Sequence, residues 1–447
     1  MSVPQQLSAF NNTVLPRSTI KTISSTIGTQ YNVTAADYGV ILNITGTASY
    51  SIFITAPAAS FGLGFYFDVL ASTTGSIGVN PHGADTINKA TSFTISGGTY
   101  RFLSDGTSWK VTNFSPFGLA SRNVGIGDTA IANAVASVAI GYSTTASATY
   151  STAIGVNSAG GGSVAAGSGS VALGGAYASS ADSFAAMTAD NSTTYGAKAI
   201  RAISLGYNSI ASGQSSVALS TLAQATQTYS VGIGYNSQST AVGSLALFGN
   251  ASGGASIAIG SNWFQTVPTA SANTSVAIGD GCTASAIGAY AFGVSAKADV
   301  IGKFSFASNY FAAQGDAQTG KYVLRAASTS ATPVILTTDG ATASTTNQLI
   351  ISANSAYTFT IIVVARQQVA GGTASASWKI EGLIRREATA TVTLVNYITT
   401  VISNVPGWTL AVSADSTNSA LAITATGAAA TNIRWVATAM TSEVTYA

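Results

Sequence analysis

A five-residue unit recurs through the middle of the chain. Ser137-Val138-Ala139-Ile140-Gly141 is followed 14 residues later by Ser151-Thr152-Ala153-Ile154-Gly155, then by Ser170-Val171-Ala172-Leu173-Gly174. Further copies begin at Ala202, Ser216, Ser230, Ser244, Ser256 and Ser275, with 12 and 19 residues as variant spacings. Self-similarity at a fixed short period marks a solenoid or array. Positions 2 and 4 of the unit are apolar, so in a strand they share one face, while the small residue at position 3 faces the other way. Gly at position 5 admits a turn with φ > 0. One period holds two short strands and two turns, one coil of a parallel β-solenoid.

A single coil carries too few large apolar side chains to offset the entropy of ordering its backbone. Stacked coils bury those side chains in a column. The expectation is that Val and Ile at positions 2 and 4 fill this column. The small second face then lets other copies of the chain approach closely. A homotrimer is the natural symmetric solution for such a rod.

Around the repeat, the composition changes. Residues 1–30 are polar and unpatterned. Residues 31–115 alternate apolar runs with turn signals. Runs at Val40–Ile44, Tyr50–Thr55, Gly64–Leu70, Ser92–Ile95, Tyr100–Ser104 and Ser108–Thr112 predict a small antiparallel β module. Asp105-Gly106 between the last two is a hairpin signal. Residues 121–300 are the repeat and 301–313 a linker. Residues 314–447 contain nine Val/Ile/Thr-rich runs, from Tyr322–Arg325 to Asn432–Thr438, which predict a β-sandwich or jelly roll. The fold class is therefore all-β: an elongated trimer with an N-terminal antiparallel domain, a central roll and a C-terminal sandwich.

Charge narrows the function. Seventeen Lys+Arg nearly balance fifteen Asp+Glu, giving +2, and charged residues are 7% of the chain against about 25% in a typical globular protein. That is too little positive charge for a nucleic-acid partner. One His and one Cys exclude an internal disulfide framework and a Cys/His zinc cluster. No apolar run reaches the roughly 20 residues of a membrane-spanning helix, and the first ten residues lack the pattern of a secretory signal. The expectation is synthesis in a cytosol without membrane insertion.

The repeat units resemble the head repeats of trimeric autotransporter adhesins, a resemblance covering residues 123 to about 300. It implies a trimeric, left-handed parallel β-roll. Two departures, Ser183-Phe184-Ala185-Ala186-Met187 and Asn262-Trp263-Phe264, read as insertions projecting from the roll. The flanks resemble a different group. Tyr31 to Gly39, Val79-Asn80-Pro81-His82-Gly83 to Asn88 and Ser104 to Trp109 look like a module of bacteriophage tail-fibre proteins. Gly315-Asp316-Ala317-Gln318 with Trp378-Lys379-Ile380-Glu381-Gly382 to Arg386 looks like a C-terminal module of phage fibre and virion-surface proteins. These resemblances imply a virion fibre made in the host cytoplasm and released by lysis. Residues 1–30 would attach it to other virion proteins, and it would adsorb to a host surface glycan or outer-membrane protein. A capsid or neck decoration fibre, a tailspike depolymerase and a bacterial adhesin are the competing expectations.

Individual residues support binding rather than chemistry. Tyr235, Trp263 and Phe264 offer aromatic faces for sugar rings, against a role in packing between coils or chains. Lys379, Arg385 and Arg386 form a basic set for an anionic glycan or another virion protein, against a plain sheet face. His82 reads as an exposed turn residue, because no triad partner is placed by spacing. Asp182 and Asp190 lack anything that fixes the carboxylate separation a glycosidase needs, and Glu381 and Glu387 read as ion-pair partners of the nearby arginines. Cys282 reads as a free thiol in a turn. No catalytic residue, cofactor site or metal site is expected.

Overall fold

The computed structural model describes residues 19–24, 30–73, 76–95, 98–114, 123–156, 160–186, 194–261, 266–367, 372–389 and 391–446. They form two units, residues 1–201 and 202–447.

In the first unit the strands are β1 (Ile20–Ser24), β2 (Gln30–Val33), β3 (Ile41–Gly46), β4 (Tyr50–Ile54), β5 (Tyr66–Thr73), β6 (Ile77–Asn80), β7 (Phe93–Ile95), β8 (Gly98–Ser104) and β9 (Trp109–Phe114). The predicted apolar runs all become strands, but the antiparallel arrangement holds for only part of the module. β1, β3 and β5 pair in parallel, as do β2, β4 and β6. Only β7, β8 and β9 are antiparallel. Alternating apolar residues specify a half-buried strand without specifying its neighbour's direction. Here each short link crosses to a second sheet instead of folding back beside its own strand, so the chain coils. β1 also lies inside the stretch 1–30 read as an unpatterned attachment segment. The rest of that stretch falls mostly outside the described residues.

The interior of this module takes large side chains: Leu42, Ile44, Ile52, Phe67, Phe102 and Trp109 are all fully buried. Phe67 stacks on Phe102 with ring centres 5.1 Å apart and meets Trp109 edge-on at 5.8 Å. The β8–β9 hairpin turns at Asp105-Gly106 as expected. The Asp105 carboxylate accepts from the backbone N–H of Thr107 (2.9 Å) and Ser108 (2.7 Å).

Beyond it the roll begins. Val124–Ile126 pairs antiparallel with β9 and parallel with Val138–Ile140, one coil on. Each coil contributes a three-residue strand to one parallel sheet and a two-residue strand to a second, as with Val138–Ile140 and Thr145–Ala146. Phe184–Ala186 stays in the ladder, paired with Val171–Leu173. Phe184–Ala186 is therefore a strand of the roll rather than an insertion, while Met187, in the place of the usual Gly, lies outside the described residues.

The two faces of the coil are the reverse of the expectation. Ala at position 3 (Ala139, Ala153, Ala172) is fully buried, as is the Ala of each two-residue strand (Ala146, Ala165, Ala178). Positions 2 and 4 point outward and are half-buried or exposed. The space between two such short, closely connected sheets is only deep enough for methyl and hydroxymethyl groups. Valine and isoleucine are excluded by size. Gly at position 5 is needed on two grounds. It has φ > 0 at Gly127, Gly141 and Gly206, and a Cβ on Gly127 would lie 2.6 Å from the carbonyl oxygen of Gly141 in the next coil.

The second unit repeats this pattern from Ile203–Leu205 to Phe304–Ala307. Its last roll strand lies within 301–313, the stretch read as a linker. The chain then enters a sandwich through Ala317–Ser328, antiparallel to Phe304–Ala307. One sheet holds, in spatial order, Ala317–Ser328, Ile433–Thr445, Ser355–Gln367, Ser375–Arg386 and Val392–Ser403, all antiparallel. The smaller sheet centres on Ala420–Thr426, flanked by Thr409–Asp415 and the short strands Val334–Ile335 and Leu349–Ile350. All nine predicted runs are strands. Trp378, Trp408 and Trp435 pack at the centre of its core.

Candidate binding surfaces

Three features of this architecture face outward or couple its parts. The first is the aliphatic ladder of the roll. Because the coil interior is filled by Ala and Ser, the larger side chains stack on the outside, in register from coil to coil. In the first unit Ile126 and Ile154 are 50% and 37% exposed. In the second unit the ladder runs from Ile203 through Val217, Val231, Leu245, Ile257 and Val276. It ends in aromatic residues: Tyr290 and Phe304 continue it at position 2, and Phe292 stacks on Phe304 at 5.2 Å. From Val217 to Val276 the ladder is half-buried, and as a contiguous apolar stripe it is a candidate interaction surface.

The second is the outer face of the large sandwich sheet. Alternation sends Val323, Ile362, Val364, Val436, Met440 and Val444 to this face, each between 39% and 57% exposed. The edge strand Val392–Ser403 is exposed on both faces, since neighbouring Val401 and Ile402 point to opposite sides and are 54% and 61% exposed.

The third is buried. Lys303, in the turn before the last roll strand, reaches Glu443 on the last sandwich strand, Nζ to Oε2 at 2.8 Å, and both side chains are almost wholly buried. Gln318 Nε2 donates to Glu443 Oε2 (2.8 Å), while Tyr322 Oη and Thr441 Oγ1 donate to Oε1 (3.1 and 2.7 Å). Burial alone pushes the Lys303 ammonium down, but the Glu443 carboxylate outweighs it and holds the pKa above the usual lysine value. Burial, reinforced by Glu443, raises the Tyr322 hydroxyl well above its usual range. Glu443 gathers Lys303, Gln318, Tyr322 and Thr441, so the cluster fastens roll to sandwich. Lys303 and Glu443 are 140 residues apart in sequence, and no local pattern marks either.

The residues singled out from sequence fall in several places. Tyr235 is 64% exposed in a turn of the roll. Trp263 and Phe264 lie outside the described residues, as does Asp190. Asp182 is an exposed turn residue with φ 55°. His82 is exposed in its turn. The basic set does not come together. Lys379 sits mid-strand on the outer sheet face and pairs with Glu381 at 3.0 Å. Arg385 is on the same face six residues on, roughly 20 Å away at about 3.3 Å per residue, and pairs loosely with Glu387 at 3.7 Å. Arg386 points the other way and donates to the carbonyls of Thr389 (2.8 Å) and Ile351 (3.1 Å). Arg385, Arg386 and Tyr446 border an open hollow of about 640 Å³.

Cys282 is a free thiol, but it is buried inside a coil rather than displayed in a turn, and its Sγ donates to the carbonyl of Gly293 at 3.2 Å. Burial raises its pKa. The sequence Gly281-Cys282-Thr283 looks like a turn, but Cys282 occupies the inward place that Ala or Ser fills elsewhere. Among the described residues no three His, Cys, Asp or Glu side chains gather as metal ligands. No described helix is long and apolar enough to cross a membrane.

A family model, the YadA head domain repeat, matches residues 132–158, 197–219 and 225–247. The coils are similar to YadA head repeats. The matched stretches cover the strands Val138–Ile140, Ile203–Leu205 and Val231–Ile233, so the YadA-type pattern falls on coils of both units. The comparison with curated proteins gives no match. Among solved structures, the tailspike protein of Acinetobacter baumannii phage AM24 is similar at 11% identity and a TM-score of 0.15, over 94% of this chain and 76% of that one.

Proposed function

We infer that the chain is a homotrimeric virion fibre that adsorbs a phage to its host by multivalent binding without catalysis. One observation carries the self-association: in every regular coil the large aliphatic side chains lie outside the coil and only small ones lie inside. Three copies set side by side would bury these ladders against one another, which supplies the apolar burial a single coil lacks. The similarity to YadA head repeats supports an adhesive role. The resemblance of the flanks to phage fibre modules supports a virion address, with residues 1–30 toward the particle. Three identical subunits turn weak contacts into high avidity, because the second and third engagements are intramolecular.

The test is competition. Purified protein added in excess should block adsorption of the phage to its host. If particles are covered by the protein while adsorption proceeds unchanged, it decorates the virion instead. Sustained release of reducing sugar from host capsule or lipopolysaccharide would assign it catalysis.

A further inference from the structure

From Ala202 to Gly279 the sequence contains no Asp, Glu, Lys, Arg or His. A coil surface without charge displays only hydroxyls, amides and apolar groups. On one edge of the roll it displays Tyr207 and Tyr235, two coils apart, with Thr221 between them. Leu222 N donates to Tyr207 O (2.8 Å), and Asn236 N to Thr221 O (3.0 Å). Successive turns thus lie directly over one another, and Tyr207, Thr221 and Tyr235 hold equivalent places in three consecutive coils. In the next coil Phe248 replaces the usual glycine, with φ 56°, and its N donates to Ile233 O at 2.9 Å. Its ring covers Gly234, where an added Cβ would meet it at 2.6 Å. Tyr207, Tyr235 and Phe248 are 58%, 64% and 51% exposed.

Strands in a ladder repeat every 4.7–4.9 Å, so two coils separate Tyr207 from Tyr235 by roughly 9.6 Å. In a β-1,4-linked polysaccharide each sugar is turned over relative to the last, and the same ring face recurs once per disaccharide, a closely similar distance. We propose that this edge is a platform for an uncharged, linear β-1,4-linked polysaccharide lying along the coil axis. The faces of Tyr207 and Tyr235 pack on the C–H faces of alternate sugars, and Phe248, one coil on and one position earlier, adds apolar surface at the end of the platform. The amide of Asn236, exposed beside Tyr235, exchanges hydrogen bonds with sugar hydroxyls. With no ionic group on this stretch, an acidic polymer gains nothing over a neutral one, and salt has nothing to screen. The proposal rests on the adhesive reading above and gives it a ligand class and a site.

The experiment is calorimetric titration of the full-length protein with hexamers of β-1,4-linked glucose and of β-1,4-linked N-acetylglucosamine, with hyaluronan fragments as the charged control. The expected result is binding of a neutral hexamer that is unchanged from low salt to about 1 M. Tyr207→Ala and Tyr235→Ala should each weaken it roughly tenfold, while Tyr235→Phe, which keeps the ring, retains it. Solution mass should be the same in all variants. Failure to bind either neutral hexamer overturns the proposal, as does selective, salt-sensitive binding of hyaluronan or an affinity indifferent to the alanine substitutions. A drop in mass for Tyr235→Ala also overturns it, assigning the edge to contacts between copies of the chain. If the wild-type protein blocks adsorption yet binds neither hexamer, this site fails while the adhesive reading stands; if it does neither, the adhesive reading itself fails.

Discussion

At the scale of single residues, the roll depends on what its coils leave out. The serine that opens each unit is buried and turns its hydroxyl back on its own turn, as when Ser137 Oγ donates to Ala134 O (2.7 Å) and Ser230 Oγ to Gln227 O (2.6 Å). Where the residue three earlier is Gly167, Gly213 or Gly253, the hydroxyl of Ser170, Ser216 or Ser256 has no partner among the described residues. At these three glycines a Cβ would collide with the carbonyl of Ser180, Gln227 or Ala272 in the next coil. Glycine there lets the backbones approach, and a hydrogen bond worth about 1 kcal/mol is forgone. Gly213→Ala should therefore destabilise the protein by about 1–3 kcal/mol, read as a lower midpoint in thermal unfolding. Cys282 should resist thiol reagents in the folded state and react promptly once denatured, since the thiolate is the reactive form and burial disfavours it. Asp105 shows a pH effect of known sign. The Thr107 and Ser108 N–H groups hold its carboxyl well below the usual range. Its contribution is complete above the ordinary aspartate pKa of about 3.9 and is lost as pH falls below that toward the folded value. The stability gap between wild type and Asp105→Ala should shrink as pH falls through that window.

The elements show what sequence can and cannot reveal. Every predicted run in the two flanks is a strand, because alternation and turn residues such as Asp105-Gly106 are local signals. Strand direction is not local, and β1 to β6 run parallel although nothing in their alternation says so. The coil's inside and outside are not legible in the sequence for a related reason. Apolar residues at positions 2 and 4 look like a core until the depth between the sheets is known, and that depth is set by the short turns. The Lys303–Glu443 pair has no local signal, because it joins residues 140 apart in the sequence. It yields a prediction at this scale. Lys303→Met leaves a buried carboxylate unpaired and should cost about 3–5 kcal/mol, while Lys303→Met combined with Glu443→Leu should recover much of that loss. Denaturation of the three proteins at neutral pH checks it. Because the folded lysine pKa is raised, the stability it contributes is full below the unfolded value of about 10.4 and is lost as pH rises through the folded one. Wild type should thus lose its advantage over the double variant only in strong alkali.

For the whole molecule, the account turns on the faces left uncovered. Val231, Leu245 and Ile257 form part of one outward ladder, while the sandwich presents Ile362, Val364 and Met440 on its outer sheet. A coil whose interior holds only methyl and hydroxymethyl groups gains little from closing on itself. The measurement that tests this most directly is the mass of the intact protein in solution, by sedimentation equilibrium, for wild type and for Val231→Asp. The account predicts about three times 44.6 kDa for the wild type, with smaller species appearing when the aspartate is placed in the ladder. A wild type that sediments as a stable, folded single chain, unaffected by the aspartate, would contradict it.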